Sequence, residues 1–278
     1  MPKKKTSSRK PKQQESKYPK LTILTPIYNR SKWLPLMIAN VCSFDYMKKD
    51  LTWFILDSKD GEEDIKLFNS SEELQLIKDT IAPIKLIYEY IPRKMTIAEK
   101  RNHLVKNAPT NWWANMDSDD IYLEEYLQYS INKMKSEKKE LCGSKQMLFV
   151  YPHHDYQISA IECPAERQAH EATMIGTKKY VRSMSGFSRN DKKGEGASLI
   201  DGNEMNVCMT ECVRQMICCC HSHNTCNKDQ FLSKACPEAQ FSGLKFDILK
   251  DLMKEEVKAG YQNLSEFSAP QPEPEPAS

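Results

Sequence analysis

Between residues 20 and 150, short apolar runs of strand type alternate with stretches whose apolar positions return every three or four residues. Leu21–Thr25 (LTILT) is continuously apolar or β-branched and predicts a buried strand that stops at Pro26. Ser31 then stands where it can cap a helix carrying Trp33, Leu34, Met37, Ile38 and Val41 at helical spacing. Pro35 falls in the first turn of that helix, where a missing N–H costs least. Trp53–Leu56 predicts a second strand, closing at Asp57 and a polar turn around Gly61, and Ile84–Tyr90 a third. Thr96-Ile97-Ala98-Glu99 is a capping box opening a helix that runs to about Asn107. Trp112–Met116 is a fourth strand leading directly into Asp117. Leu123, Tyr126, Leu127, Ile131 and Met134 mark one face of the next helix, and Gln146–Val150 a fifth strand.

Strands separated by helices imply right-handed crossovers and an α/β fold, with a mostly parallel central sheet covered by helices on both faces. Beyond residue 150 the pattern is less regular, and no internal repeat is visible at any period.

Composition adds limits. The chain has 278 residues, 40% hydrophobic and 28% charged, enough for one large α/β domain or two small ones. A net charge of +2 argues for no polyanionic partner, and no nucleic acid is expected. Residues 1–18 form a basic stretch with no apolar face to bury. It reads as a solvated tail; anionic lipid, nucleic acid or an import receptor are the other readings of such a run. Residues 268–278, rich in Pro and Glu, read as a second tail. No run of 18 apolar residues predicts a transmembrane segment, and no apolar stretch follows the basic start as a signal peptide requires. The expectation is a cytoplasmic protein, or one at the cytosolic face of a membrane, whose ten cysteines are thiols or metal ligands.

Doubly wound sheets bind ligands beyond the carboxyl ends of their strands. The first strand ends at Pro26-Ile27-Tyr28-Asn29-Arg30, the second at Asp57 and the fourth at Asp117-Ser118-Asp119-Asp120. Three carboxylates in four residues repel one another unless a cation sits among them, and hard oxygen ligands suit Mg2+ or Mn2+. One aspartate would be enough to cap the following helix.

LTILTPIYNR, FILDSKDG, AEKRNHLVKNAP and WWANMDSDDIY, in this order and at these separations, resemble the family 2 glycosyltransferases of the GT-A fold. The resemblance covers about residues 20–125 and implies one domain over 19–267, with a nucleotide-binding half at 19–125 and an acceptor-binding half at 126–267. It implies a nucleotide pocket lined by Pro26, Tyr28 and Arg30, a uracil or ribose contact at Asp57, and further nucleotide contacts from Arg101 and Asn102. Asp117-Ser118-Asp119 is the DxD motif, its first acid facing the ribose and its second holding Mn2+ or Mg2+ against the diphosphate. The implied donor is a nucleoside-diphosphate sugar, a UDP-sugar first; the acceptor, whether glycan, protein or lipid, stays open.

Farther along, the resemblance implies a general base on a Glu-Asp pair that faces the acceptor. Glu195 fills the first position, but Gly196 stands in the second, which leaves Glu195 as the expected base and Asp201 as the rival. The CHSHNT segment resembles the family's late histidine, and His223, directly before Asn224, is the expected third metal ligand ahead of His221. His170 and Glu171 are further acceptor-side candidates. The cysteines at 208, 212, 218, 219, 220, 226 and 236 allow a zinc site, against which stands the strand character of MICCC and the preference of free cysteine for burial. Two functions follow: a metal-dependent, inverting glycosyltransferase, or a nucleotide-sugar-binding or zinc-bearing interaction protein without catalysis, since Gly196 breaks the pair.

Overall fold

A computed structural model of the chain describes residues 17–58, 66–151, 154, 157–163, 168–188, 194–221, 224 and 228–232. In chain order its strands are β1 Leu21–Ile27, β2 Leu51–Ser58, β3 Lys85–Ile91, β4 Trp112–Asn115, β5 Ile121–Tyr122, β6 Leu141–Gly143, β7 Gln146–Tyr151, β8 Gln157–Glu162, β9 Ile175–Thr177, β10 Val207–Met209 and β11 Met216–Cys219. Its helices are α1 Leu34–Ser43, α2 Ser71–Thr80, α3 Ile97–Asn107, α4 Tyr126–Glu137 and α5 Lys178–Ser183.

Seven strands form the main sheet in the order β10-β6-β9-β4-β1-β2-β3, and β5-β11-β7-β8 form a second. β1 lies between β2 and β4, parallel to both, while β9 runs antiparallel to β4 and β6. The boundary at residue 125 therefore separates no sheets: β6, β9 and β10 extend the sheet that β1–β4 begin. Side chains of a strand alternate between faces, and here both faces are covered. Leu21, Ile23, Trp53 and Ile55 pack into one core with α1 and α4. Leu24, Phe54 and Leu56 pack into another with Ala98, Leu104 and Val105 of α3. That is why β1 and β2 read as unbroken apolar runs.

Four local expectations change. β1 does not stop at Pro26 but continues to Ile27. Met116 N donates to Leu24 O at 2.9 Å, so even-numbered residues of β1 turn their polar groups toward β4. β4 has ended by the level of Pro26, so no partner needs the absent N–H. Ser31 caps nothing; it opens a single 3-10 turn ahead of α1, which starts without a side-chain cap. Leu123 precedes α4, because Ile121–Tyr122 pair with β11 before the helix begins. α2 was not expected; Ser70 caps it by accepting from Glu73 N at 3.2 Å, yet it buries no residue fully and so leaves a faint apolar pattern.

The capping box at Thr96 and Glu99 forms in both directions. At the chain's start the folded part begins before residue 19. The Tyr18 ring packs at a tilt against that of Tyr46, centroids 5.4 Å apart, and its hydroxyl donates to Gln128 Oε1 at 3.1 Å. Residues 1–16 and the tail expected at 268–278 lie outside the described residues. No helix among the described residues is long and apolar enough to cross a membrane.

Candidate active site

The carboxyl ends of β1, β2 and β4 bring together most of the residues singled out from the sequence. Past β1 the chain turns through Asn29, whose φ of 51° is left-handed backbone that asparagine tolerates. Tyr28 there lies under two ammonium groups, with Lys100 Nζ 5.4 Å and Lys94 Nζ 5.7 Å from its ring centre. Lys100 also donates to Ile27 O at 2.5 Å, and burial pulls its pKa down to about 8 against the nearby charge of Asp57. Asp57 is buried at the end of β2. Its Oδ2 accepts from Leu67 N at 2.9 Å and from Tyr88 Oη at 2.8 Å, so this oxygen ties the loop after β2 to β3. Burial raises its pKa, with those two hydrogen bonds acting the other way.

Arg101 projects from α3 into the space beneath β4 and is almost wholly buried. Its Nε donates to Glu195 Oε1 at 2.9 Å, and NH2 reaches both oxygens of Asp117 at 3.0 and 3.1 Å. Burial penalises the guanidinium, but the charges of Asp117 and Glu195 more than offset this and raise its pKa. Its NH1 is buried without a partner among the described residues. For Asp117, burial raises the pKa and Arg101 opposes the rise. The neighbouring Asn102 is engaged differently. Its amide donates to Phe187 O at 2.9 Å and accepts from Phe187 N at 2.8 Å, so it clamps the segment that leads to Glu195. Gly186 lies under the same amide, where its φ of 85° and a Cβ only 2.5 Å from Asn102 Oδ1 leave no room for a side chain.

Across the site, Asp119 Oδ2 lies 3.0 Å from His221 Nε2 and 3.6 Å from Arg30 Nε. His221 follows β11, packs its ring 4.3 Å from that of Trp33, and is held by Asn224, whose Oδ1 accepts from His221 N at 2.8 Å. Burial works to raise the Asp119 pKa, but the hydrogen bond from His221 and the charge of Arg30 hold it well below the usual carboxylate range. Asp120 turns inward and accepts from Cys219 N at 3.0 Å; burial and the charge of Asp119 push it up to about 7. Lys228 Nζ is 2.6 Å from Cys218 Sγ. Tyr122 links this side to the other: its hydroxyl accepts from Asp117 N at 2.9 Å and donates to Ala172 O at 3.0 Å.

Glu171 opens a 3-10 turn just before β9, and Asn115 Nδ2 donates to its carbonyl at 2.7 Å. Its side chain meets the Glu195 segment, where Glu171 Oε1 accepts from Gly196 N at 2.9 Å. Burial and the charge of Glu195 push Glu171 up to about 7, with Arg101 opposing.

Tyr28, Arg30, Arg101, Asp117, Asp119 and Glu195 thus share one site. Pro26 stays within β1, paired with Leu56. Asp201 is exposed on the turn after Ala197–Leu199 and makes no side-chain hydrogen bond to Arg101, Asp117 or Glu195. His223 lies outside the described residues, and His221, two positions earlier, is the histidine against Asp119. Lys100, Tyr122 and Lys228 were missed. A lysine one residue before Arg101 carries no sign in the sequence that it turns inward, and Tyr122 reads simply as core. Among the described residues no group of three or more His, Cys, Asp and Glu is arranged to hold a metal. Cys208, Cys212, Cys218, Cys219 and Cys220 are buried, and burial pushes their thiols up, Cys212 to about 11 and Cys208 and Cys220 to about 12. Cys226 and Cys236 lie outside the described residues.

The model of one protein family, described as glycosyl transferase family 2, matches residues 22–189. No curated protein matches the chain. Several solved structures share the fold. TarS 1–349 of S. aureus superposes with a TM-score of 0.52 at 13% identity, over 72% of this chain and 60% of that one. Its complex with UDP-GlcNAc gives 0.53 at 14% identity, over 90% and 73%. The mannosyltransferase PcManGT from Pyrobaculum calidifontis, in complex with GDP-Man and Mn2+, gives 0.54 at 14% identity, over 73% and 57%. The chain thus spans somewhat under two thirds of the length of PcManGT and, in the first superposition, of TarS 1–349.

Proposed function

The chain belongs to glycosyl transferase family 2 and has a GT-A-like fold, and from that premise we propose that it moves a sugar from a nucleoside diphosphate to an acceptor hydroxyl, with inversion and with help from a divalent cation. The observation that carries this reading is the meeting of Asp119 Oδ2 and His221 Nε2, 3.0 Å apart, just beyond the end of β4. Ligand bonds of about 2.1 Å at right angles put neighbouring ligand atoms about 3.0 Å apart, so this spacing fits two ligands of one octahedral ion. Carboxylate oxygen with imidazole nitrogen suits Mn2+, and Mg2+ less well. Among the described residues, Asp119 and His221 are the groups that would hold the ion.

An ion held there would act as a Lewis acid toward negative charge on the departing diphosphate. The chain's own groups supply the rest. Arg30, now 3.6 Å from Asp119, is near enough to turn its guanidinium onto a phosphate oxygen. Asp117, fixed in orientation by two hydrogen bonds from Arg101, faces the ribose. Tyr28 offers a ring beside the nucleoside. A UDP-sugar is the donor proposed first. TarS has been solved with UDP-GlcNAc, in line with this, and PcManGT with GDP-Man, in line with a nucleoside-diphosphate sugar of either base.

A thermal-shift screen of UDP-, GDP-, CMP- and dTDP-sugars, each with and without Mn2+, tests the proposal. A donor present at a hundredfold excess over its Kd stabilises by about 2.7 kcal/mol. One donor class should raise the melting temperature, and only with the metal; a flat response to all of them would contradict the function.

A further inference from the structure

Two carboxylates meet beside Arg101, and they are not equivalent. Glu195 directs Oε1 to the guanidinium at 2.9 Å and its side chain is only 7% exposed, so an incoming hydroxyl has little access to it. Glu171 carries no guanidinium hydrogen bond. One of its oxygens is oriented by Gly196 N at 2.9 Å, and its residue is half-buried where Glu195 is buried.

Position 196 is shaped around Glu171. A Cβ there would stand 2.7 Å from Glu171 Cγ and 3.1 Å from its Oε1, so any side chain at 196 would contest the volume that the Glu171 carboxylate fills. The second close neighbour, Met174 Cε at 2.7 Å, is the tip of a flexible side chain and yields more easily. Glycine at 196 thus admits an acid from another element. That acid comes from a fixed base, because Asn115 holds the Glu171 carbonyl and Tyr122 joins the same turn to Asp117.

We propose that Glu171 is the general base, reaching from the turn before β9 into the space beside Gly196 to take the proton of the acceptor hydroxyl. The inference rests on the glycosyltransferase reading. In the step, the acceptor O–H proton passes to a Glu171 oxygen and the acceptor oxygen bonds to the anomeric carbon. The anomeric C–O bond to the diphosphate breaks, its electron pair stays on the phosphate oxygen, and the proton later leaves Glu171 for water. The groups facing Glu171 are Glu195, which raises its proton affinity, Arg101, which lowers it, and the adjoining His170, whose imidazole burial drives down to about 4 and so keeps neutral. A carboxyl poised at about 7 suits base catalysis near neutral pH.

The test measures UDP or GDP release from UDP-GlcNAc and GDP-mannose with Mn2+, water serving as acceptor, together with nucleotide binding by calorimetry. Glu171→Gln should lower release by about 10²–10⁴-fold, leave Mn2+-dependent nucleotide binding within about twofold, and abolish the rise in kcat through pH 7. Glu195→Gln should keep the rise but move it to lower pH, since the Glu195 charge helps to raise the proton affinity of Glu171. The double variant Glu171→Ala with Gly196→Asp returns a carboxylate to the same volume and should recover at least about tenfold over Glu171→Ala alone, within the range general bases supply. If the wild type binds and turns over but Glu171→Gln keeps near-normal release with an unmoved pH profile, the inference is overturned and the function stands. If the wild type binds neither donor and releases no nucleotide, both fall together.

Discussion

Arg101→Met keeps most of the side chain's length and removes the guanidinium between Glu195 and Asp117. The two stranded acids differ in access to water: the Glu195 side chain is 7% exposed and that of Asp117 26%. Breaking a buried pair costs about 3–5 kcal/mol, because one charge stays behind uncompensated. The Asp117 share moves toward the ~0–1 kcal/mol of a surface pair, since water can reach it. We therefore expect a loss of about 4 kcal/mol at pH 7.5, dominated by Glu195. Domains of this kind have only about 5–15 kcal/mol in total. The pH dependence has a definite sign. Removing the guanidinium takes away what opposes the upward shift that burial gives Asp117. A carboxyl whose folded pKa is raised loses stability as pH climbs through that pKa and is least costly below its unfolded value, about 4. The deficit against wild type should therefore shrink on going from pH 7.5 to pH 5. Urea unfolding followed by tryptophan fluorescence at both pH values measures it. A deficit under 1 kcal/mol would mean that Arg101 is a solvated helix residue, and a large one equal at both pH values that Asp117 does not depend on the guanidinium; normal stability with lost nucleotide affinity would return Arg101 to the nucleotide contact first expected.

Asn102→Ala removes two hydrogen bonds to the Phe187 backbone and should cost about 2 kcal/mol, at about 1 kcal/mol per bond. Hydrogen exchange at residues 186–188 should quicken with it, and unchanged protection there would contradict the clamp. Tyr18→Ala removes the packing against Tyr46 and the bond to Gln128; the melting temperature should fall by about 4 °C, as roughly 1–2 kcal/mol implies for a chain of this size. No change would put residue 18 back in the tail.

Sequence periodicity made the nucleotide-binding half legible because its elements are decided locally. β1 and β2 are apolar on both faces, Thr96 and Glu99 cap α3 within one turn, and the acids at 117–120 follow their strand without interruption. Contacts made across the chain were not legible. Nothing in the residues around 221–224 says which histidine turns toward Asp119, because that depends on how β11 pairs with β5 and β7. Arg101 and Asn102 are adjacent on α3 yet do different work, one joining two acids and the other holding Phe187. Gly196 looked like a defect in a pair; its meaning lies in Glu171, 25 residues earlier, whose carboxylate its backbone N–H holds. β9 runs against its neighbours in the main sheet, a reversal that a three-residue strand cannot announce in its own pattern.

On the proposed function, Asp119 with His221 holds a cation that binds a nucleotide diphosphate. Calorimetric titration of UDP and GDP into wild type and Asp119→Ala, each with and without Mn2+, tests it most directly. Wild type should bind one of the two nucleotides with Mn2+ and at least tenfold more weakly without it, about 1.4 kcal/mol, while Asp119→Ala should keep the wild-type melting temperature and show no response to the metal. Nucleotide binding that is equally tight without Mn2+, or in Asp119→Ala as in wild type with Mn2+, would contradict it.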